Sequence, residues 1–556
     1  MNNQIKVTFN NGEEGIYNSG VTLLELSKYY QDEVDNPILA AKINNIVYPL
    51  SERIKTNCQV DFIDVNDING QSMYLAALKF ILYVAIKELY GVNSDIYYLN
   101  SLDKGLYSEV KIDKKLTEEE IKKIKETMQE IIDSEFQFEK IILLKKEAVN
   151  FLKRENASEK AQNIQNLPNS SVIFYKLKTY YNYFYINLPH STGVINKFDV
   201  SLIDDNHLLL RYPTARSNDT IPEYHYYKET LSTFEKYRTW LKGVNASYVS
   251  ELNCIVSKGK IRDLIMMNKL FLDRQFSKAV EEIVAKRDKI KVICIAGPSS
   301  SGKTTSSLKL CLHLKAEGLN PIVISADNYY KERVDSPKDE NGEYDFECFE
   351  ALDMELFNKD LKNLYNGEEV VPPKFNFYSG KKEWKGAPIR IKENDILILE
   401  GLHCLNKEFT KAIPEDAKYK IYVSPFIAMR IDRHNHISTV DLRLLRRIVR
   451  DNVYRGITVS DTIKTWQKVR RGEENFIFPY QDDADLIINT ASTYDIGILK
   501  VYAEPLLYSV PVNSPYYEEA RRLLGYLRIY YPIPSENVPV DSVLREFIGG
   551  SIFDPH

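Results

Sequence analysis

Residues 291–305 read KVICIAGPSSSGKTT, and the chemistry their spacing allows is phosphate binding. An apolar, β-branched run ends at Ala296. Gly297-Pro298-Ser299-Ser300-Ser301-Gly302-Lys303-Thr304 then matches GxxxxGK[ST] in full. Gly297 and Gly302 let the backbone curl so that successive N–H groups face one anion. A helix starting there adds the positive end of its dipole. Lys303 can neutralise β/γ-phosphate charge, and the Thr304 hydroxyl can ligate Mg²⁺. The candidate ATP-binding set is therefore Gly297, Pro298, Ser299, Ser300, Ser301, Gly302, Lys303, Thr304 and Thr305. A strand before the loop and a segment with Leu308, Leu310, Leu312 and Leu314 after it set the motif apart from a chance Gly/Ser-rich turn.

Two acids end further apolar runs. PIVISADNYY carries Asp327 and ILILEG carries Glu400. Strands alternating with helical segments predict a parallel α/β sheet, in which ligands bind beyond the carboxyl ends of the strands. One cleft can then contain the loop and both acids. One carboxylate can deprotonate an acceptor hydroxyl while the other holds Mg²⁺ through water. A strand-end acid can also cap the next helix. Arg443, Arg447 and Arg450 share one helical face, with Arg446 at its edge. Such a face can bind RNA or lie in solvent, but Asp441, Asp451 and the nearby phosphate loop favour a phosphate clamp.

The elements that must position these residues belong to a chain of 556 residues, long enough for three or four domains. Its net charge of −5 gives no global nucleic-acid signature. Six scattered cysteines without a CxxC argue against a disulfide framework or a cysteine zinc site. The polar start carries no signal peptide, and the apolar stretch from Tyr74 to Ile86 is too short to span a bilayer. A cytoplasmic location without membrane contact is the expectation.

Residues 1–65 read as hairpin, helix, hairpin, strand, with turns at Asn10-Asn11-Gly12 and Asn44-Asn45. This β-grasp order resembles the TGS domain of threonyl-tRNA synthetases. Residues 70–230 resemble the α+β second additional domain of the same enzymes, through AIKELY, TEEEIKKIKETMQEII and LPHSTGVINKFDV. The resemblance implies four polar metal-type ligands there, but their positions fall on Phe80, Val84, Ile186 and His190. One imidazole cannot replace four ligands, so a binding or scaffold role is expected, with His190 a hydrogen-bonded structural histidine. Residues 231–289 read as a helical connector and 290–556 as the phosphate-loop domain, with the tail from about 531 packed on it.

Along the last region, GPSSSGKTT, SADNYY, FECFEALD, PPKFNFYSGKK, ILILEG and RLLRRIVRDNVYRG follow one another as in the uridine kinase and phosphoribulokinase family. With both N-terminal units, the chain resembles a bacterial nucleoside (uridine) kinase family. DRHNHISTVD and RRGEENFIFPYQDDAD look like that family more than the short uridine kinases. The resemblance implies ATP and Mg²⁺ as cofactors, with Thr304 and Glu400 holding the metal. Asp327, Lys303, Arg447 and Arg450 would carry catalysis, the arginines on a lid helix. Asp327, Tyr330, Glu347, Phe375 and Arg447 would meet the acceptor. Phe375, Gly380, Ile457 and Thr465 replace a Tyr, His, Arg and Gln that hold base and ribose in short uridine kinases.

Three functions remain open on these residues. The leading one is a kinase converting a nucleoside, uridine or cytidine first, to its 5′-monophosphate. The second changes the acceptor to a sugar, sugar phosphate or polyol, and the third is an RNA-associated regulatory nucleotide-binding protein contacting RNA through its N-terminal half. A homo-oligomer is expected by resemblance.

Overall fold

The computed structural model describes residues 4–31, 34, 36–214, 217, 220–339, 342–376 and 379–553. Phe377 and Tyr378 of PPKFNFYSGKK lie outside these. At the start of the chain, strands Gln4–Phe9 and Glu14–Asn18, helix Leu23–Tyr30, strands Ala40–Ile43 and Ile46–Pro49, and strand Cys58–Ile63 appear in the expected order. The first and last strands pair in parallel at the middle of a five-stranded sheet, Val7 opposite Cys58. Gly12, Asn44 and Asn45 have φ of +86°, +49° and +68°, turn backbone that Gly and Asn tolerate. Thr22 and Glu25 cap the helix reciprocally, Glu25 N–H donating to Thr22 Oγ1 at 3.1 Å.

The second unit packs helices Ile68–Tyr90 and Glu118–Asp133 with a four-stranded antiparallel sheet. Phe80 enters an aromatic core, its ring 5.6 Å from Phe184 and 6.0 Å from Phe138. The expectation of a hydrogen-bonded His190 fails at one ring nitrogen among the described residues. Its Nδ1 is buried without a hydrogen-bond partner, and burial together with the Lys28 charge holds its pKa below the ordinary value. The His190 carbonyl accepts the Phe138 N–H at 3.1 Å and fixes the backbone there.

Helices Lys228–Gly243, Val249–Ser257 and Ile261–Ala285 share one buried core with the C-terminal sheet, Phe276, Val280 and Ile283 belonging to the same apolar cluster as Ile293 and Ile295. That sheet has five parallel strands in the order Asn320–Ser325, Asp395–Glu400, Val292–Ala296, Lys418–Ser424, Leu486–Asn489. The central strands are buried on both faces, as a parallel sheet between helices requires, and the two buried lysines of Lys418–Ser424 pair with Glu415. Ser325 and Ile295 both register with Glu400, so three strand ends open at one place.

The DRHNHISTVD segment forms a small hairpin, Arg430–Asp432 with Asn435–His436, and leads directly into the arginine helix Thr439–Arg455. It docks into the N-terminal half. Arg433 donates to Asp95 at 2.9 Å and Glu159 at 2.7 Å, and Asn163 donates to the Ile431 carbonyl at 2.8 Å. The arginine helix is thus anchored at its start by residues far away in sequence. Among the described residues, no helix is long and apolar enough to cross a membrane.

Candidate active site

The phosphate loop leaves the central strand at Gly297, where a Cβ would lie 2.0 Å from the Val423 carbonyl oxygen. Gly302 has φ +87° and precedes helix Lys303–Ala316. Only glycine fits either position without moving backbone or tail. Ser300 also has a positive φ, +58°, and its Oγ and that of Ser301 are buried without hydrogen-bond partners among the described residues. Lys303 Nζ donates to the Pro298 carbonyl at 3.2 Å. Thr304 and Thr305 form the first turn of the helix, whose leading N–H groups have no intrahelical partners. Curled backbone, orphaned hydroxyls and a lysine folded back over the loop fit a polyphosphate.

The expected acids meet beside this loop. Glu400 is buried, and Asp327 keeps part of its surface in the cleft although protein surrounds it. Burial pushes both carboxyls above their ordinary values. The nearby Asp327 charge pushes Glu400 further, while Lys303 opposes the rise in both. The pair therefore favours a shared proton until more positive charge arrives. Glu347 sits against the helix Val459–Phe476, where a Cβ on Gly472 would lie 2.5 Å from its own. Burial raises its pKa to about 7, with Arg447 opposing. Tyr330 and Phe375 line the same side, their rings 5.8 Å apart. Gly380, φ +69°, closes against Arg333, whose N–H donates to its carbonyl at 2.9 Å.

The arginine helix divides its side chains. Arg447 Nη1 donates to Ser299 Oγ at 3.0 Å and, with Arg450, faces Asp451. Arg443 and Arg446 go elsewhere. Arg443 is 1% exposed, pairs with Glu473 and donates to the Ser299 carbonyl at 2.9 Å. Arg446 pairs with Asp495 and donates to the Thr490 carbonyl at 2.9 Å. The helix thus grips Ser299 of the loop with two arginines, Arg443 and Arg447, while Arg450 pairs with Asp451.

Four participants were not singled out from the sequence. Glu473 accepts the Ser299 N–H at 2.9 Å and clamps Arg443 from the next helix. Arg455 reaches Asp451 at 3.3 Å and its charge lowers the pKa of Asp327. His403, three residues past Glu400, lies between the rings of Phe349 at 5.5 Å and Phe476 at 6.0 Å. Neither ring nitrogen has a hydrogen-bond partner among the described residues. Burial and Lys303 push its pKa down to about 4, so the ring is neutral. Glu546, from the tail, meets Thr305. The sequence cue available for His403 is its place just beyond a strand end.

The raised pKa of Glu347 has a stability consequence. Its folded value of about 7 exceeds the ordinary 4.5, so its contribution is full below 4.5 and lost as pH rises through 7. At about 1.4 kcal/mol per pH unit this is roughly 3 kcal/mol. The ligand-free protein should melt at a lower temperature at pH 8 than at pH 5. Glu347→Gln should flatten that slope, as thermal unfolding at both pH values would measure.

With this geometry in hand, similarity to known proteins is informative. The sequence profile described as "Phosphoribulokinase / Uridine kinase family" matches residues 292–497. The uridine kinase of Staphylococcus aureus strain JH9 is 31% identical over 208 residues, 37% of this chain and 91% of that protein. The chain belongs to the phosphoribulokinase/uridine kinase family. The uridine kinase of strain Newman matches to the same extent. A solved structure described as a kinase of a fructose transport system, from Silicibacter sp. TM1040, covers 38% of this chain and 98% of its own, at 18% identity and a TM-score of 0.28. The family match spans the loop, Asp327, Glu347, Glu400 and the arginine helix, and it stops before the tail that carries Glu546.

Proposed function

We propose that the protein is an ATP- and Mg²⁺-dependent kinase that phosphorylates a primary hydroxyl of a nucleoside, uridine or cytidine first. The observation that carries this reading is the convergence of the phosphate loop, Asp327 and Glu400 at the carboxyl ends of three adjacent parallel strands, with the Glu347 charge close enough to act electrostatically with Asp327 and Lys303. Gly297 to Thr305 would hold the ATP phosphates, with Lys303 neutralising charge. Thr304 and Glu400 would hold Mg²⁺. When bound, ATP supplies the phosphoryl group and the metal spreads its charge.

The chain's own residues do the rest. Asp327 orients the acceptor hydroxyl and takes its proton. Arg447 and Arg450 face the charge that develops in transfer. Tyr330 and Phe375 give the acceptor an apolar wall, and Glu347 offers hydrogen bonds to its hydroxyls. Arg455 and Lys303 keep Asp327 able to ionise despite its burial.

Phe375 and Gly380 stand where polar readers of a uracil ring would be expected, and this favours a second acceptor class, a sugar, sugar phosphate or polyol. A site lacking a matched polar partner discriminates weakly against analogues. ADP release should be measured with full-length protein, ATP and Mg²⁺ against nucleosides, sugars and polyols. Turnover on uridine or cytidine alone supports the nucleoside reading. Turnover on a polyol or sugar alone replaces the acceptor. No turnover anywhere overturns the kinase reading.

A further inference from the structure

The first-turn N–H groups of the helix Lys303–Ala316 lack intrahelical partners and are the donors that a phosphate-loop helix turns towards an anion. One of them is already taken. Thr305 N–H donates to Glu546 Oε2 at 3.2 Å, and Thr305 Oγ1 donates to the same oxygen at 2.7 Å. Glu546 is 6% exposed and lies 241 residues away in sequence. Its charge also raises the pKa of Glu400.

The segment carrying it is built onto the loop. Asp541 pairs with Lys309 at 2.9 Å and Lys269 at 3.0 Å. Val543 packs so closely on Gly302 that a Cβ there would lie 2.2 Å from its Cγ1. Arg545 donates to the carbonyls of Ser535 at 2.8 Å and Val538 at 2.9 Å, closing the segment on itself. Phe547 lies under the Arg446 guanidinium, 5.0 Å from ring centre to carbon. Residues 538–549 therefore form a strap across the start of the phosphate helix, held by two ion pairs, apolar contact and one carboxylate on anion donors.

We propose that this strap is an autoinhibitory contact, in which the Glu546 carboxylate occupies an anion position of the phosphate loop and must be displaced by an ATP phosphate. The proposal rests on the reading of the loop as an ATP site. A carboxylate and a phosphate oxygen cannot share the same two donors, and two negative groups at that distance repel. ATP affinity is then reduced by the share of molecules whose strap is closed.

The test is ATP binding by calorimetry without acceptor, on full-length wild type and Glu546→Gln. It is paired with hydrogen exchange of residues 538–549 in the wild type with and without ATP. The expected results are about tenfold tighter ATP binding by the variant and faster strap exchange when ATP is added. Unchanged or weaker binding by a folded variant overturns the proposal while leaving the ATP site intact. If the variant does not fold, slower or unchanged strap exchange with ATP in the wild type overturns it, and faster exchange supports it. Absence of ATP binding in both proteins overturns the strap together with the ATP reading.

Discussion

Replacing Asp327 by alanine is expected to leave ATP binding within about threefold and to cut turnover about a thousandfold, the middle of the range for a positioned proton acceptor. Asp327 follows the strand Asn320–Ser325 by two residues, on a short turn between that strand and Tyr330, with Tyr329 buried beneath it. Among the described residues its side chain makes no hydrogen bond or ion pair with the loop, so nucleotide phosphates should depend on it little. The acceptor should. Lys303 and Arg455 both act to keep the carboxyl ionised, and burial acts against them. Glu400 lies close enough for the two to compete for one proton. Turnover per KM for the acceptor should therefore fall as pH drops below neutrality, and Asp327→Asn should abolish the activity rather than move this limb. Steady-state kinetics from pH 5.5 to 8.5, with ATP binding measured separately, checks both parts. Near-normal turnover in the alanine variant would remove Asp327 from the mechanism.

What the sequence conveyed was local. The phosphate loop is nine consecutive residues whose types have few other uses together. Asn44-Asn45 and Gly12 announce turns because the backbone there must be left-handed. Buried strands such as DILILE read as strands because both faces are covered. Asp327 and Glu400 were legible because they end such runs, and a strand end in a parallel sheet is a position in space as well as in sequence.

The remainder depends on contacts that no local pattern encodes. Helical spacing put Arg443, Arg446, Arg447 and Arg450 close together but could not say that the first two would enter buried ion pairs. Glu473 and Glu546 are two acids among 78 Asp and Glu, and nothing in their neighbourhoods distinguishes them. They matter because folding brings them to Ser299 and Thr305, 174 and 241 residues away. His403 became visible only once its neighbours were known to be Phe349 and Phe476. His190 was legible as a histidine stripped of its partners, yet its unpaired nitrogen was not.

Glu473→Ala should be the most destabilising single substitution near the site, costing about 3–5 kcal/mol, because it leaves a buried charge without its partner. Glu473 is 0% exposed and joins three things at once. It pairs with Arg443, accepts the Ser299 N–H at 2.9 Å, and meets Arg470 at 3.2 Å from its own helix. Arg443 would keep the Ser299 carbonyl and the Trp466 ring, 5.3 Å away, but no carboxylate partner among the described residues. The thermal midpoint should fall by about 10 °C. A double variant, Glu473→Ala with Arg443→Met, separates the buried charge from the lost grip on the loop. Removing both charges relieves the desolvation cost, so most of the stability should return. ATP affinity should not return with it, because the Ser299 N–H and carbonyl would still lack the acceptor and donor that hold the loop in its curled form. Thermal unfolding and ATP titration of the two single variants and the double variant measure this coupling. Additive losses would mean that Arg443 and Glu473 do not act as one unit, and recovered ATP binding in the double variant would mean that the loop holds its shape without them.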